Sequence, residues 1–238
     1  MKNKIVEALR LLDSVPPVLL TLMTLSVVGM NLLANKSVDT GISWLALDSG
    51  FILSWLAFLT MDVMTHCYGP KAATVGSLTA MCLNLFMAAI FFVGSKIPGM
   101  WGESYVEGSE AIINAALDHT FGGTWFVLLG SSIAFAVSAV ANNFLNWAIG
   151  ERLNGKGFGA FATRSYVSTF IAQFIDNMTF ALLVSRVFFG WTMLQCITCS
   201  ITGGLIELLS EVLFSPMGYR ISRQIMARRG EEPAEEAA

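Results

Sequence analysis

The sequence predicts an all-α polytopic membrane protein, a bundle of six transmembrane helices with almost no soluble mass. Three observations carry that prediction. The 238 residues are 55% hydrophobic and only 13% charged, with a mean hydropathy of +0.64; a typical soluble domain has about 25% charged residues. The charges are clumped: 22 uncharged positions separate Asp13 from Lys36, 24 separate Lys71 from Lys96, 32 separate Asp118 from Glu151, and 20 separate Arg186 from Glu207. A run of about 18 or more apolar residues reads as a span, because about 20 residues at 1.5 Å rise cross the ~30 Å hydrocarbon core. This composition excludes a soluble enzyme, a nucleic-acid binder and a disordered chain.

The spans are expected at 15–35, 44–66, 72–94, 123–149, 165–185 and 191–214. The second is the least clear, since Asp48 and Asp62 leave 13 uncharged positions between them. The first follows a basic stretch and so imitates a signal peptide. Its length, with Arg10, Asp13 and the Pro16-Pro17 pair ahead of it, fits a retained helix. Residues 1–230 are expected to form a single six-helix domain, and the acidic tail 231–238 to be disordered. The outer loop 95–122 includes a stretch, 111–117, suited to a short helix lying at the interface.

Orientation follows from Lys and Arg. With the N-terminus inside, cytoplasmic segments hold 11 of these residues (Lys2, Lys4, Arg10, Lys71, Arg152, Lys156, Arg164, Arg220, Arg223, Arg228 and Arg229). Outer loops hold 3 (Lys36, Lys96 and Arg186). The positive-inside rule places both termini in the cytoplasm of a multi-pass cell inner (plasma) membrane protein.

Cys67, Cys82, Cys196 and Cys199 lie in or beside apolar segments and read as small apolar filler. Cys196-x-x-Cys199 lacks the second ligand pair that a zinc site needs, and neither a metal nor a cofactor is implied. Residues 150–157, Gly-Glu-Arg-Leu-Asn-Gly-Lys-Gly, approach a phosphate loop. The motif needs Ser or Thr last and a strand before it, so a tight turn is the better reading.

The informative residues are polar ones inside the spans, where a charge costs about 2.5–3.5 kcal/mol on insertion scales. Asp62 and His66 are spaced i, i+4 near the inner end of the second span, and Asn142 and Asn146 share that spacing in the fourth. Thr169, Gln173, Asp176 and Asn177 form one stripe in the fifth, and Glu207 and Glu211 are a further i, i+4 pair in the sixth. Asn31 and Asn84 lie in the first and third spans. Such Asn residues can serve only as interhelical glue, at about 0.6 kcal/mol per bond. Asp176 differs, being 12 residues from Arg164 and 10 from Arg186, close to mid-membrane. Carboxylates accept from ring N–H and amino groups, amides both donate and accept, and Phe58, Phe174, Phe180 and Trp55 can stack on a flat ring. With no mid-membrane Lys or Arg, the set suits a neutral or cationic heterocycle, or a proton relay.

Four segments are similar to signatures of the queuosine precursor transporter family, also called the vitamin uptake transporter family. Asn31-Leu-Leu-Ala-Asn-Lys36 resembles its Asn-x-x-Ala-x-Lys segment. Asp62-Val-Met-Thr-His-Cys-Tyr-Gly69 resembles its Asp-x-x-x-Glu-x-Tyr-Gly signature. Ser168-Thr169-x-x-x-Gln173-x-x-Asp176-Asn177-x-x-Phe180 resembles its Ser-Thr-x-x-x-Gln-x-x-Asp-Thr-x-x-Phe signature, and Ser215-Pro216-x-x-Tyr219 its closing Thr-Pro-x-x-Tyr. The resemblance spans about 27–219. His66 stands at the Glu position and Asn177 at the Thr position, while Ala139 and Asn142 stand where Gln and Asp are usual. The intramembrane Lys usual near 206–207 is replaced by Glu207.

The resemblance implies a six-helix importer of queuosine precursors, 7-cyano- or 7-aminomethyl-7-deazaguanine, with no nucleic-acid partner and room for a homo-oligomer. The Lys-to-Glu change favours a more cationic or donor-rich ligand. On this reading the substrate-binding residues are Asp176, Gln173, Asn177, Glu207, Asn142, Asp62, His66 and Asn31. Asp176 accepts from the ring N–H and amino edge, Gln173 and Asn142 bind the carbonyl edge, and Asp62, His66 and Glu207 complete the pocket or couple it to protons. Uptake is expected by gradient coupling or metabolic trapping, without an ATPase in this chain. The alternatives are a vitamin-binding subunit of an ATP-driven importer and, more remotely, an intramembrane enzyme built on the Glu207/Glu211 pair.

Overall fold

In hydrocarbon every backbone N–H and C=O must find its partner within the chain, so long apolar runs become helices. The computed structural model describes residues 2–34, 36–38, 41–42, 47–100, 102–103, 106–123, 125–153, 157–188 and 190–230. The start of the expected second span (44–46), positions 154–156 of the glycine-rich turn, and the acidic tail 231–238 lie outside these.

Helix α1 (Lys2–Asp13) meets α2 (Pro17–Leu33) at a bend of 104°. Pro17 begins α2, where its fixed φ and missing N–H cost nothing. The sequence reading did not anticipate α1, because 12 residues carrying five charged side chains contain no run of spanning length. Two short strands, Ser37–Val38 and Leu47–Asp48, pair antiparallel after α2.

Helix α3 (Phe51–Gly94) is 44 residues long, broken at Gly69, whose φ of 82° and ψ of 166° are not helical. Two contacts show that it folds back there. A Cβ built on Gly76 would lie 2.5 Å from Met64 Cε, although 12 residues of straight helix rise about 18 Å. Asn143 accepts from Thr65 Oγ1 (3.2 Å) and donates to Thr74 Oγ1 (3.3 Å), holding positions on both sides of the break. Thus α3 is a hairpin of arms 51–68 and 70–94, the expected second and third segments. Its bend needs a backbone conformation accessible almost solely to glycine, costing about 1–3 kcal/mol for other residues. Gly69→Ala should therefore lower the detergent melting temperature, while Gly94→Ala, at the open end of the hairpin, should not.

Helix α4 (Ser109–Gly122) contains the short helix expected at 111–117. Then come α5 (Trp125–Leu153), α6 (Phe158–Phe180) with a π-helical turn at Ala181–Ser185, α7 (Arg186–Phe188) and α8 (Met193–Arg228). Thr192 and Gln195 close a capping box at the start of α8. Both α6 and α8 outrun their expected spans, one to include Arg164 and the other past Pro216 to Arg228. A charged residue ends a hydropathic run without ending a helix, and Arg164 itself is largely buried, with Nε and Nη2 shut from solvent.

By length and composition α3, α5, α6 with its π turn, and α8 can each cross a bilayer, and the bent α1–α2 pair makes a fifth. The chain is an all-α, multi-pass membrane protein. Its outer surface is apolar, and its interior combines a hydrophobic core (Met23, Phe58, Met61, Met64, Phe135 and Phe161 among others) with buried polar side chains. On α5 the exposed stripe is Leu129, Ile133, Val137, Val140, Phe144 and Trp147, whereas Ser138, Ala139, Asn142, Asn143 and Asn146 are buried. On α8 Leu194, Leu205, Leu209 and Leu213 face outward, and small residues face in. A Cβ at Gly218 would meet Leu59 Cδ1 at 2.5 Å, so these positions let the helices approach closely.

Candidate functional site

The inward polar residues collect in two adjoining layers. The layer nearer the α2–α3 loop surrounds a partly open cavity with an empty volume of about 700 Å³, counting the space at its mouth. Five of the residues expected at the site line it: Asn31 from α2, Gln173, Asp176 and Asn177 from α6, and Glu207 from α8. Phe51 and Phe58 from α3 and Phe180 from α6 supply aromatic wall. No Lys or Arg lines it among the described residues.

The polar side chains are held in place. Ser138 Oγ donates to Asp176 Oδ1 at 2.7 Å, and Gln173 Nε2 donates to Glu207 Oε2 at 2.5 Å. Asn177 Nδ2 donates to the Gln173 carbonyl one turn back (2.9 Å), and the Ser131 hydroxyl donates to Asn31 Oδ1. A Cβ at Gly203 would come within 2.7 Å of Asn177 Nδ2, so α8 passes the cavity with no side chain at that point. The π turn begins directly after Phe180. Such turns re-aim side chains by widening one helical turn and are frequent at functional sites.

One helical turn further in, a second layer is closed to solvent. Asp62, Asn142, Asn146, Ser165, Ser168 and Glu211 all have zero exposure. Asn142 Nδ2 donates to Asp62 Oδ1 (2.8 Å), and Thr169 Oγ1 donates to Asp62 Oδ2 (3.3 Å). Ser165 Oγ lies within hydrogen-bonding distance of Asp62 Oδ2 and 2.6 Å from Glu211 Oε1. The second Glu211 oxygen, Oε2, is buried without a hydrogen-bond partner, as is Asn142 Oδ1.

Asp62 and Asn142 therefore meet each other in this layer and are not part of the cavity lining. His66 stands apart from both, half-buried at the hairpin end, 5.5 Å from the Phe161 ring in an edge-on contact. Of the aromatic residues expected to stack on a ligand, Phe58 and Phe180 line the cavity. Trp55 instead stacks on Phe214 with centroids 3.8 Å apart, and Phe174 is not in the lining.

Three contributors were not singled out by sequence. Ser131 and Ser138 are single small residues on an apolar helix and give no signal. Ser165 does give one: it stands i−4 to Thr169, so the stripe Thr169–Gln173–Asp176/Asn177 extends to it by the same spacing. Glu211 was noted as the partner of Glu207 but not placed at the site.

A family model described as "Putative vitamin uptake transporter" matches residues 48–221. No curated protein and no solved structure matches the chain.

Proposed function

The chain belongs to the vitamin uptake transporter family, and from that premise we propose that it imports a flat, donor-rich heterocycle across the cell inner membrane, most specifically 7-aminomethyl- or 7-cyano-7-deazaguanine. The observation that carries this reading is the cavity. Five spanning elements contribute to one wall, two carboxylates and three amides converge on it, and aromatic rings flank it. Acceptor-rich walls match the N–H and amino edge of a deazaguanine. Two carboxylates in the lining further favour the aminomethyl compound, which carries a positive charge.

In this proposal Asp176 takes the ring N–H and amino edge, the Gln173–Glu207 pair and Asn177 close the opposite side, Asn31 caps the open end, and Phe58 and Phe180 hold the ring plane. Asp62, Asn142 and His66 act from outside the cavity. The protein is a transporter and not an enzyme, forms one domain through residue 230, and keeps both termini in the cytoplasm. Its energy comes from a gradient or from metabolic trapping.

Uptake of 7-aminomethyl-7-deazaguanine into proteoliposomes holding this chain alone tests the proposal. Saturable uptake without ATP is the expected result. Uptake that begins only when a separate ATPase module is added would make the chain the binding subunit of an ATP-driven importer. No uptake of any deazaguanine would remove the proposed substrate.

A further inference from the structure

We propose that Asp62, Ser165 and Glu211 form a proton-carrying unit that couples uptake to proton entry; this coupling rests on the transport reading above.

The argument is a count of protons. Ser165 has one hydroxyl hydrogen, yet its oxygen is in hydrogen-bonding contact with two carboxyl groups. It can donate to one of them only. Were both acids ionised, the other contact would set a carboxylate oxygen 2.6 Å or less from a hydroxyl oxygen with no hydrogen between them, which is repulsive. The second contact needs a carboxyl O–H, so the unit holds at least one proton.

Partners assign the proton to Glu211. Asp62 accepts from Asn142 and Thr169 as well as from Ser165, as an anion requires. Among the described residues Glu211 hydrogen-bonds to Ser165 alone, and its Oε2 is buried with no hydrogen-bond partner. A bare carboxylate oxygen in that position would be far costlier than the carbonyl of a neutral acid. The arrangement is Glu211 O–H donating to Ser165 Oγ, and Ser165 O–H donating to the Asp62 carboxylate.

The surroundings leave the unit able to exchange that proton. On α3 His66 stands one turn beyond Asp62, packed on the Phe161 ring; from α6 Arg164, whose guanidinium lies over the same ring at 5.4 Å, acts electrostatically on Asp62 without a salt bridge to either acid among the described residues. From α8 it is faced by Glu207; α5 presents only the amides of Asn142 and Asn146. Glu207 is one helical turn from Glu211 and lines the cavity, so it is the step between cavity and unit.

Coupling follows from like charges. Loss of the proton leaves two carboxylates on either side of one serine oxygen in a dry core, which drives α3, α6 and α8 apart. In one cycle a single proton enters from the cavity side through Glu207, resides on Glu211, and leaves to the cytoplasm when the unit opens inward with the substrate. One proton moves in per opening, and no other bond changes.

The test has a part that needs no substrate. Infrared titration of the purified protein in lipid should show the C=O stretch of a protonated carboxyl at neutral pH, shifted in D2O, and lost in Glu211→Gln. Wild-type proteoliposomes should also accumulate 7-aminomethyl-7-deazaguanine about tenfold above the outside concentration when the outside is one pH unit more acidic, and not when the gradient is abolished. That factor is the tenfold proton ratio for one proton carried inward with one substrate, read with the membrane potential clamped at zero because this co-transport moves positive charge. Absence of the protonated band overturns the proton unit whatever the protein carries. A band with uptake indifferent to the gradient overturns the coupling. A band with no uptake of any deazaguanine sinks the transport reading and the coupling with it. The wild-type arms decide the matter even where Glu211→Gln fails to fold.

Discussion

Asp176→Ala is expected to abolish uptake while leaving the protein inserted and folded. Asp176 is one of two acids in the cavity lining, and Ser138 already orients it with a 2.7 Å hydrogen bond. A heterocycle edge presenting two N–H donors makes two charge-assisted bonds to such a carboxylate, each contributing about 1.5–3 kcal/mol. Losing both costs on the order of 100-fold or more in affinity. Stability should change little, because the side chain faces the cavity and the Ser138 hydroxyl still has the Phe135 carbonyl as an acceptor at 3.1 Å. Asp176→Asn keeps one acceptor and should lose on the order of tenfold. Radiolabelled uptake and equilibrium binding, beside a control at the exposed Glu107 (Glu107→Ala) ahead of α4, measure both. Normal uptake by Asp176→Ala would mean that the cavity is not the transport site.

Asp62→Ala is expected to fail differently, by folding. Its carboxylate receives Asn142, Ser165 and Thr169 from two other helices in a layer with no solvent. Truncation strands those donors and leaves a void, and breaking a buried polar or charged cluster on one side commonly costs about 3–5 kcal/mol. The melting temperature in detergent should fall sharply, and yield with it. Asp62→Asn should recover most of the loss. The new amide still accepts from Ser165 and Thr169, and an Asn142 flip would turn its unpartnered Oδ1 toward the new N–H. An Asp62→Ala protein as stable as wild type would show that the α3–α6 contact is not held by this cluster.

The helical segments were legible because each lies between charges, and charge-free length is what the bilayer selects. Helix ends were not legible to the same degree. The chain crosses Arg164 and Pro216 without leaving the helix, since neither a charged residue nor a proline near the membrane edge forbids a helical backbone. Helix α1 was missed for the converse reason, as a helix too short and too charged to register as a span.

At the site, polar residues inside apolar spans pointed to the interior correctly as a class: Asn31, Gln173, Asp176, Asn177 and Glu207 share one cavity. What the sequence could not supply was depth. An i, i+4 spacing gives a face of a helix, not the level at which a neighbour meets it. Asp62 and Asn142 were consequently expected to share a pocket with Asp176, and lie a turn deeper in a layer of their own. His66 looked like a pocket group because it shares a face with Asp62, yet its ring packs on Phe161. Glu211 carried the opposite ambiguity, since an acid near the end of a span is cheap at an interface, and only its contact with Ser165 shows that it is not at one.

The most direct measurement is equilibrium binding of 7-aminomethyl-7-deazaguanine to the purified protein in lipid nanodiscs, competed in turn with 7-cyano-7-deazaguanine, guanine and B vitamins. The account predicts saturable one-to-one binding that a deazaguanine displaces and that Asp176→Ala loses. A wild-type protein that binds none of these flat heterocycles, or whose binding survives Asp176→Ala undiminished, would contradict it.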